Sequence, residues 1–144
     1  MREIIFKAKR KDNGEWVEGY LFDNGMPERK RYFVGGLTIE PYTGTACDDW
    51  DITGIDFYEI YPETICQYTG LKDKNDQKIW ENDIVENGNQ RGKIVYRNCC
   101  FEIDWFQYSI YSGKYIKDFT QQLFQGRNFV SIGNVFDNPE LLEV

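Results

Sequence analysis

The chain has 144 residues, of which 41% are hydrophobic, 28% charged and 17% aromatic, and this composition excludes a disordered tail and allows a packed core. No apolar run approaches the roughly 18 residues that a membrane span needs, and the charged N-terminal segment lacks the apolar core of a secretory signal, so we expect a cytoplasmic protein with no membrane partner. The formal net charge is −7, and histidine, the commonest general base and metal ligand, is absent.

The first half of the chain is patterned as short strands joined by tight turns. Its β-branched and aromatic side chains fit a pleated sheet better than a helix. Alternation from Ile4 to Tyr20 around Asn13-Gly14 predicts a hairpin, and Asp23-Asn24-Gly25 predicts the turn that ends its second strand. Three further segments follow: a strand over Arg31 to Ile39, a loop over residues 41–54, and a strand over Ile55 to Tyr61 that Pro62 ends.

Four apolar runs in the second half, separated by turn residues, predict a small antiparallel barrel or sandwich. These runs are Ile79 to Val85, Gly92 to Tyr96, Cys99 to Trp105 and Phe129 to Phe136. Alternation in the third run predicts two sets of side chains: Cys99, Phe101, Ile103 and Trp105 facing the core, and Cys100, Glu102 and Asp104 facing solvent.

Apolar residues recur at helical spacing between Lys114 and Gly126. We therefore expect at most one short helix in the protein, located in this segment. Pro62 and the change of pattern after it suggest an N-terminal β subdomain over residues 1–65 and a second subdomain over residues 66–144, with one compact domain as the alternative. The expected fold class is mainly β, with antiparallel hairpins in the N-terminal half.

The excess negative charge is confined to one segment. Between Tyr32 and Leu71 all charged residues are acidic, and the rest of the chain is neutral overall. These acidic residues are Glu40, Asp48, Asp49, Asp51, Asp56, Glu59 and Glu63. They form either an acidic interaction surface for a basic partner or a solvated segment that only aids solubility.

Two basic clusters, Lys7 to Lys11 and Arg29 to Arg31, are able to contact phosphate. Alternation places Lys7, Lys9 and Lys11 on one face of the first strand. Lysines in this position fit protection of an exposed sheet edge better than a positive stripe for nucleic acid.

No pattern in the sequence predicts a catalytic site, a metal site or a cofactor. The four cysteines are Cys47, Cys66, Cys99 and Cys100, and no Cys-x-x-Cys pair occurs among them, which disfavours zinc and fits reduced thiols. Because we expect Cys100 to face outward, it is the better candidate for a reactive thiol.

The segment Asp73 to Gln77 starts like a calcium-binding loop, with oxygen-bearing side chains on alternate residues. Lys78 stands where such a loop needs Gly, and Ile84 stands where it needs a bidentate Glu. A hairpin turn is therefore expected in place of a calcium site.

The segment from Gln67 to Val85, QYTGLKDKNDQKIWENDIV, closely resembles the hallmark of the YopX family, small proteins encoded by bacteriophages and prophages. The opening MREIIFKA and the closing IGNVFDNPELLE are similar to the start and finish of the family. The resemblance implies a mostly β fold whose later half is an SH3-like barrel, and it implies no biochemical activity, because none is established for the family.

The hallmark residues are expected to have structural roles: Gln67, Tyr68, Thr69, Gly70, Leu71, Asp73, Asn75, Trp80 and Asp83. The chain departs from the family pattern at Asp76 and Asn82, where the family usually has Gly. Asp and Asn tolerate the left-handed backbone conformation better than most residues, so we expect the turn geometry to be kept.

Four classes of function follow from these observations. The leading hypothesis is a non-catalytic interaction protein that binds a host or phage protein through strand edges or the acidic segment. The alternatives are a nucleic-acid-binding β-barrel, which the acidic charge disfavours, and an acidic mimic of nucleic acid that inhibits a host protein. An enzyme is the least supported class, and self-association through exposed apolar patches fits an aromatic-rich chain.

Overall fold

The computed structural model describes residues 1–41 and 49–143, and over these residues it contains eleven strands, two 3-10 turns and no α-helix. The expectation of a mainly β fold is confirmed. The chain divides into two compact units. The N-terminal unit is Ile4–Ile65, and the C-terminal unit is Cys66–Val144 together with Met1–Glu3.

Four antiparallel strands form the N-terminal unit, in the order β4-β3-β2-β1. They are β1 (Phe6–Lys9), β2 (Trp16–Asp23), β3 (Tyr32–Pro41) and β4 (Trp50–Glu59), and a 3-10 turn over Pro62–Thr64 follows. The predicted first hairpin is formed by β1 and β2. Its turn residue Gly14 has a φ of 72°, a left-handed value that glycine adopts without steric cost.

The core of the N-terminal unit lies on one face of this sheet. Ala8, Val34 and Ile60 are fully buried there, and the partly buried Val17 and Leu21 pack against them. The cross-strand pairs Ala8 with Val17 and Leu21 with Val34 place these side chains on the same face. The other face of the sheet is therefore left to solvent.

The predicted loop over residues 41–54 is wrong for its last part, because β4 begins at Trp50 and not at Ile55. Hydrogen-bonded pairing with β3 continues as far as Pro41 opposite Trp50. Gly and Asp in this stretch are typical of loops, but the long pairing partner holds the chain extended. Residues 42–48, which include Cys47 and Asp48, lie outside the described residues.

The C-terminal unit contains a hairpin and a five-stranded antiparallel sheet. The hairpin is β5 (Cys66–Lys72) with β6 (Lys78–Trp80), and the sheet has the order β10-β9-β8-β7-β11. Its strands are β7 (Asp83–Asn87), β8 (Gln90–Arg97), β9 (Cys100–Ser109), β10 (Lys114–Gln122) and β11 (Val130–Asn134), and a 3-10 turn over Pro139–Leu142 follows.

The C-terminal unit contains a large cluster of buried apolar side chains. Its members are Ile79, Val85, Ile94, Ile103, Trp105 and Phe129. In the part of the chain that the structure describes, the outer strands β10 and β11 do not pair with each other, so the sheet is not closed. An SH3-like barrel is therefore not confirmed.

The predicted short helix between Lys114 and Gly126 is wrong, because Lys114–Gln122 forms β10. The strand pairs with β9 along its whole length, from Lys114 opposite Ser109 to Gln122 opposite Glu102. The apolar side chains at helical spacing do not share a buried face, since Ile116 and Phe119 are exposed. The register shift between Lys117 and Phe119 explains the irregular spacing.

Two side-chain placements predicted for β9, those of Cys99 and Asp104, are also wrong. Cys99 does not face the core but lies exposed in the turn between β8 and β9. Asn98 and Cys99 both have left-handed φ values, 55° and 63°, which is the geometry of a two-residue type I′ hairpin turn. Cys100, predicted to face outward, is partly exposed and lies beside Glu102.

Asp104, predicted to face solvent, is buried. Its carboxylate accepts hydrogen bonds from Arg97 Nη2 at 2.6 Å and from Thr120 Oγ1 at 2.7 Å. Burial would raise the pKa of Asp104, but these hydrogen bonds and the charges of Lys117 and Arg97 outweigh it, so the pKa lies below its usual value. Neighbouring strands supply the partners that make burial of the charge possible.

Candidate functional site

The hallmark segment is built around the buried carboxylate of Asp73, which lies in the β5–β6 turn. Its Oδ1 accepts hydrogen bonds from the backbone N–H groups of Asn75 at 2.9 Å and Gln77 at 3.0 Å. Its Oδ2 accepts one from the backbone N–H of Ser131 in β11, also at 2.9 Å. Asp73 therefore fixes the predicted turn and ties it to a strand 58 residues away in sequence.

A second buried carboxylate, Asp83, supports the same region. Its Oδ2 accepts hydrogen bonds from the Trp80 backbone N–H at 2.9 Å and from the Ser131 hydroxyl at 3.2 Å. The rings of Tyr68 and Trp80 lie 5.5 Å apart, centroid to centroid. The donors around both carboxylates belong to the β5–β6 hairpin and to β11, so the arrangement orders the backbone of this unit.

The other hallmark residues also make contacts within the C-terminal unit. The Thr69 hydroxyl donates to the carbonyl of Ile79 at 2.7 Å and accepts from the Leu71 N–H at 3.2 Å. The Gln67 N–H donates to Glu81 Oε1 at 3.2 Å, and Gly70 has a left-handed φ of 86°.

Asp76 and Asn82 both adopt the left-handed conformation, with φ values of 62° and 69°. The expectation that these two departures from the family's glycines keep the turn geometry is confirmed. Asp and Asn pay a smaller steric penalty there than other non-glycine residues.

We expect Asp76→Gly to leave the free energy of unfolding within about 0.5 kcal/mol of the wild type and Asp76→Val to lower it by about 1–2 kcal/mol, because a β-branched side chain resists positive φ. Urea unfolding followed by tryptophan fluorescence measures both variants. Equal stability of the Val and Gly variants would contradict the assigned turn conformation.

The N-terminal unit carries a different kind of feature, a two-stranded extension of its sheet. Strand β2 pairs with β3 only from Asp23 opposite Tyr32 to Tyr20 opposite Gly35, whereas pairing of β3 with β4 continues to Pro41 opposite Trp50. We call residues 36–41 and 50–56 the arm. A two-stranded ribbon without further strands is marginally stable by itself, so an arm of this kind benefits from a partner.

One face of the arm is apolar. The pairs Leu37 with Ile55 and Ile39 with Ile52 lie on it, and the register shift between Thr38 and Ile39 keeps both pairs on the same side. These four side chains are all exposed. The apolar face continues onto the sheet, where the rings of Phe22, Phe33 and Phe57 pack at centroid distances of 5.5–5.7 Å.

A groove of about 690 Å³ runs over this apolar face. It is lined by Tyr20, Phe22, Gly35, Gly36, Leu37, Ile39, Ile55 and Phe57, none of which carries a charge. The apolar face is not predicted by the sequence pattern, because the Gly, Thr and Asp residues of the segment 41–54 are typical of a loop. The alternation of Leu37 and Ile39 with Thr38 and Glu40 was the signal that could have revealed it.

The opposite face of the arm is acidic. Glu40 and Asp51 lie directly opposite each other on β3 and β4, and Asp56 lies on the same face, opposite Gly36. All three are exposed. Among residues 1–41 and 49–143, no Lys or Arg lies within ion-pairing distance of these three carboxylates.

The remaining acidic residues predicted for this surface are placed elsewhere. Glu59 is paired with Arg31, and with Lys11 at 3.1 Å, and these hydrogen bonds lower the pKa of Glu59 to about 2. Glu63 is exposed in the 3-10 turn after β4, and Asp49 is exposed just before β4. Asp48 lies outside the described residues.

The basic residues of β1 do not form an open stripe. Lys7 and Lys9 have their ammonium groups 4.7 Å and 5.5 Å from the centroid of the Trp16 ring, and the Arg10 guanidinium lies 3.7 Å from that of Tyr58. Such cation–π contacts occupy these side chains within the sheet.

In the described ranges 1–41 and 49–143, no group of three or more Cys, Asp, Glu or His side chains is arranged to hold a metal ion. The Cys100 thiol lies 3.5 Å from the carbonyl oxygen of Arg97 and 3.7 Å from Glu102 Oε1. Over the same described part of the chain, no helix has the length and apolar character that crossing a membrane requires.

Comparison with known proteins gives one family and one fold. A family model described as "YopX protein" matches residues 5–143. The crystal structure of protein EF1440 from Enterococcus faecalis is similar over 99% of this chain and 100% of that chain, with a TM-score of 0.51 and 24% sequence identity. No curated protein matches the chain.

Proposed function

This chain belongs to the YopX family, and we propose that it is a non-catalytic interaction module of phage or prophage origin, acting in the host cytoplasm. Its partner is a host or phage protein that presents a Lys- or Arg-rich surface to the acidic face of the arm. The observation that carries the proposal is the row of exposed carboxylates of Glu40, Asp51 and Asp56 on one face of a projecting ribbon.

The pair of Glu40 and Asp51 supports this proposal energetically. Like charges directly opposite each other in a sheet are destabilising, by roughly 0.2–1 kcal/mol. A cationic partner would relieve that repulsion, and this relief adds a favourable contribution to the free energy of binding. Complementary charge also raises the association rate and fixes the orientation of the two proteins.

The same geometry argues against the nucleic-acid-binding alternative. The acidic face of the arm repels phosphate within about 10 Å at moderate salt. The ammonium groups of Lys7 and Lys9, which could have offset this negative charge, lie over the Trp16 ring. A protein partner with positive charge fits the described surface better than a nucleic acid.

The test is capture of partners from phage-bearing cells with the tagged chain and with the double variant Asp51→Lys/Asp56→Lys. We expect one protein to be recovered in stoichiometric amount with the wild type, with affinity lowered at least about tenfold by the double variant and by added salt. Glu63→Lys is the matched control, because Glu63 is an exposed acid of the same unit outside the arm. Absence of a stoichiometric partner, or capture that the double variant leaves unchanged, would overturn the proposal.

A further inference from the structure

The apolar face of the N-terminal unit is larger than a monomeric protein of this size normally exposes. Eight large side chains contribute to it: Tyr20, Phe22, Leu37, Ile39, Trp50, Ile52, Ile55 and Phe57. Their exposed fractions range from 41% for Phe22 to 70% for Trp50. Contiguous apolar patches beyond a few hundred Å² mark interaction sites on soluble proteins.

We infer that a second copy of this chain covers this face. Each of the eight side chains exposes about 100 Å², roughly half of the area that a large aromatic side chain buries. The exposed area of the whole apolar face is therefore on the order of 800 Å². That is the area each partner contributes to a stable interface of standard size. The area available therefore matches what a dimer requires.

The shape of the face also fits self-association. A two-fold interface uses the same patch on both subunits, so the patch must contain both a depression and the side chains that fill it. Here the depression is the groove itself, and the exposed side chains of Leu37, Ile39 and Ile55 line it. The apolar side chains of one copy can fill the groove of the other.

Charge determines where a second copy can dock at the lowest cost. Each chain carries a net charge of −7, so two copies repel each other least when they meet on a surface free of acidic groups. The groove lining is uncharged, while Glu40, Asp51 and Asp56 lie on the opposite face of the arm. Pairing through the apolar face therefore keeps the carboxylates of the two copies on the outside, where they stay available to another protein.

Sedimentation equilibrium and light scattering of the purified full chain test the inference. Between about 1 and 100 µM, the range over which an interface of this size saturates, we expect a mass of at least twice the 17.1 kDa of one chain. Ile55→Asp and Ile55→Lys should each weaken self-association at least about a hundredfold, because either charge would be buried without a partner. Because Ile55 is exposed, both variants should keep the wild-type circular dichroism spectrum, and their thermal unfolding midpoint should equal that of the wild type at concentrations where the wild type is monomeric.

The variant Asp51→Lys/Asp56→Lys is the matched control, since it changes the same arm on the opposite face and should leave the mass unchanged or raise it. A wild-type chain that is monomeric throughout, or an assembly that both folded Ile55 variants leave intact, overturns the inference. The partner-binding proposal fails separately, because it depends on the acidic face and is measured by capture of another protein.

Discussion

Replacing Asp73 by alanine is expected to lower the free energy of unfolding by about 3–5 kcal/mol, because three backbone N–H groups would lose their acceptor in a buried turn. The donors belong to Asn75, Gln77 and Ser131, so the loss would loosen both the β5–β6 turn and its attachment to β11. Urea or guanidinium unfolding at neutral pH measures the change. A loss below about 1 kcal/mol would contradict the assigned role.

The pH dependence of stability provides a second measurement on Asp73. Burial would raise the pKa of this carboxyl, but the three backbone donors outweigh it and hold the pKa below the ordinary value of 3.8. A folded-state pKa below the unfolded one stabilises the fold above pH 3.8, and this stabilisation is lost as the pH falls through the folded-state value.

Asp73→Asn should therefore be less stable than the wild type at neutral pH. As the pH is lowered, its free energy of unfolding should fall less than that of the wild type, because the contribution from protonation of Asp73 is absent. Asp76→Asn is the matched control in the same turn, because the Asp76 side chain is exposed and its ion pair with Lys72, at 3.7 Å, contributes little. If Asp73→Asn and the wild type lose stability in parallel as the pH falls, the buried carboxylate is not the titrating group.

Replacing Gly35 by alanine is expected to cost about 2–4 kcal/mol, because a Cβ atom at this position has no space. It would lie 2.1 Å from the carbonyl oxygen of Asp56 and 2.7 Å from the Cβ of Phe57 on the neighbouring strand. Backbone atoms cannot move aside as a flexible side chain can, so β3 and β4 would have to separate. Thermal unfolding and hydrogen exchange of the β3 and β4 amides measure the effect.

Gly36 provides a control one residue away. A Cβ at Gly36 meets no atom within 4 Å, so Gly36→Ala should leave stability unchanged or raise it by up to about 1 kcal/mol through the reduced freedom of the unfolded chain. Equal effects of the two substitutions would mean that β3 and β4 do not approach each other as closely at Gly35 as the structure shows.

Features that depend on local chemistry could be predicted from the amino-acid sequence. Composition predicted a mainly β fold, Asn13-Gly14 predicted the first hairpin, and the run from Asp73 to Gln77 predicted the turn between β5 and β6. The left-handed conformations expected at Asp76 and Asn82 are also present. Each of these features is set by the steric preferences of a few consecutive residues, which a sequence displays directly.

Which side chains are buried, and which strands have neighbours, depends on the tertiary structure. Residues 114–122 are spaced like a helix, yet pairing with β9 makes them a strand, and Asp104 is buried because Arg97 and Thr120 come from adjacent strands to meet it. The arm has two exposed faces because β2 pairs with β3 only as far as Gly35, whereas β4 pairs with β3 as far as Pro41. The point at which a neighbouring strand stops pairing is set by residues distant in sequence. The exposure of Leu37 and Ile55 could therefore not be derived from the residues that surround them in sequence.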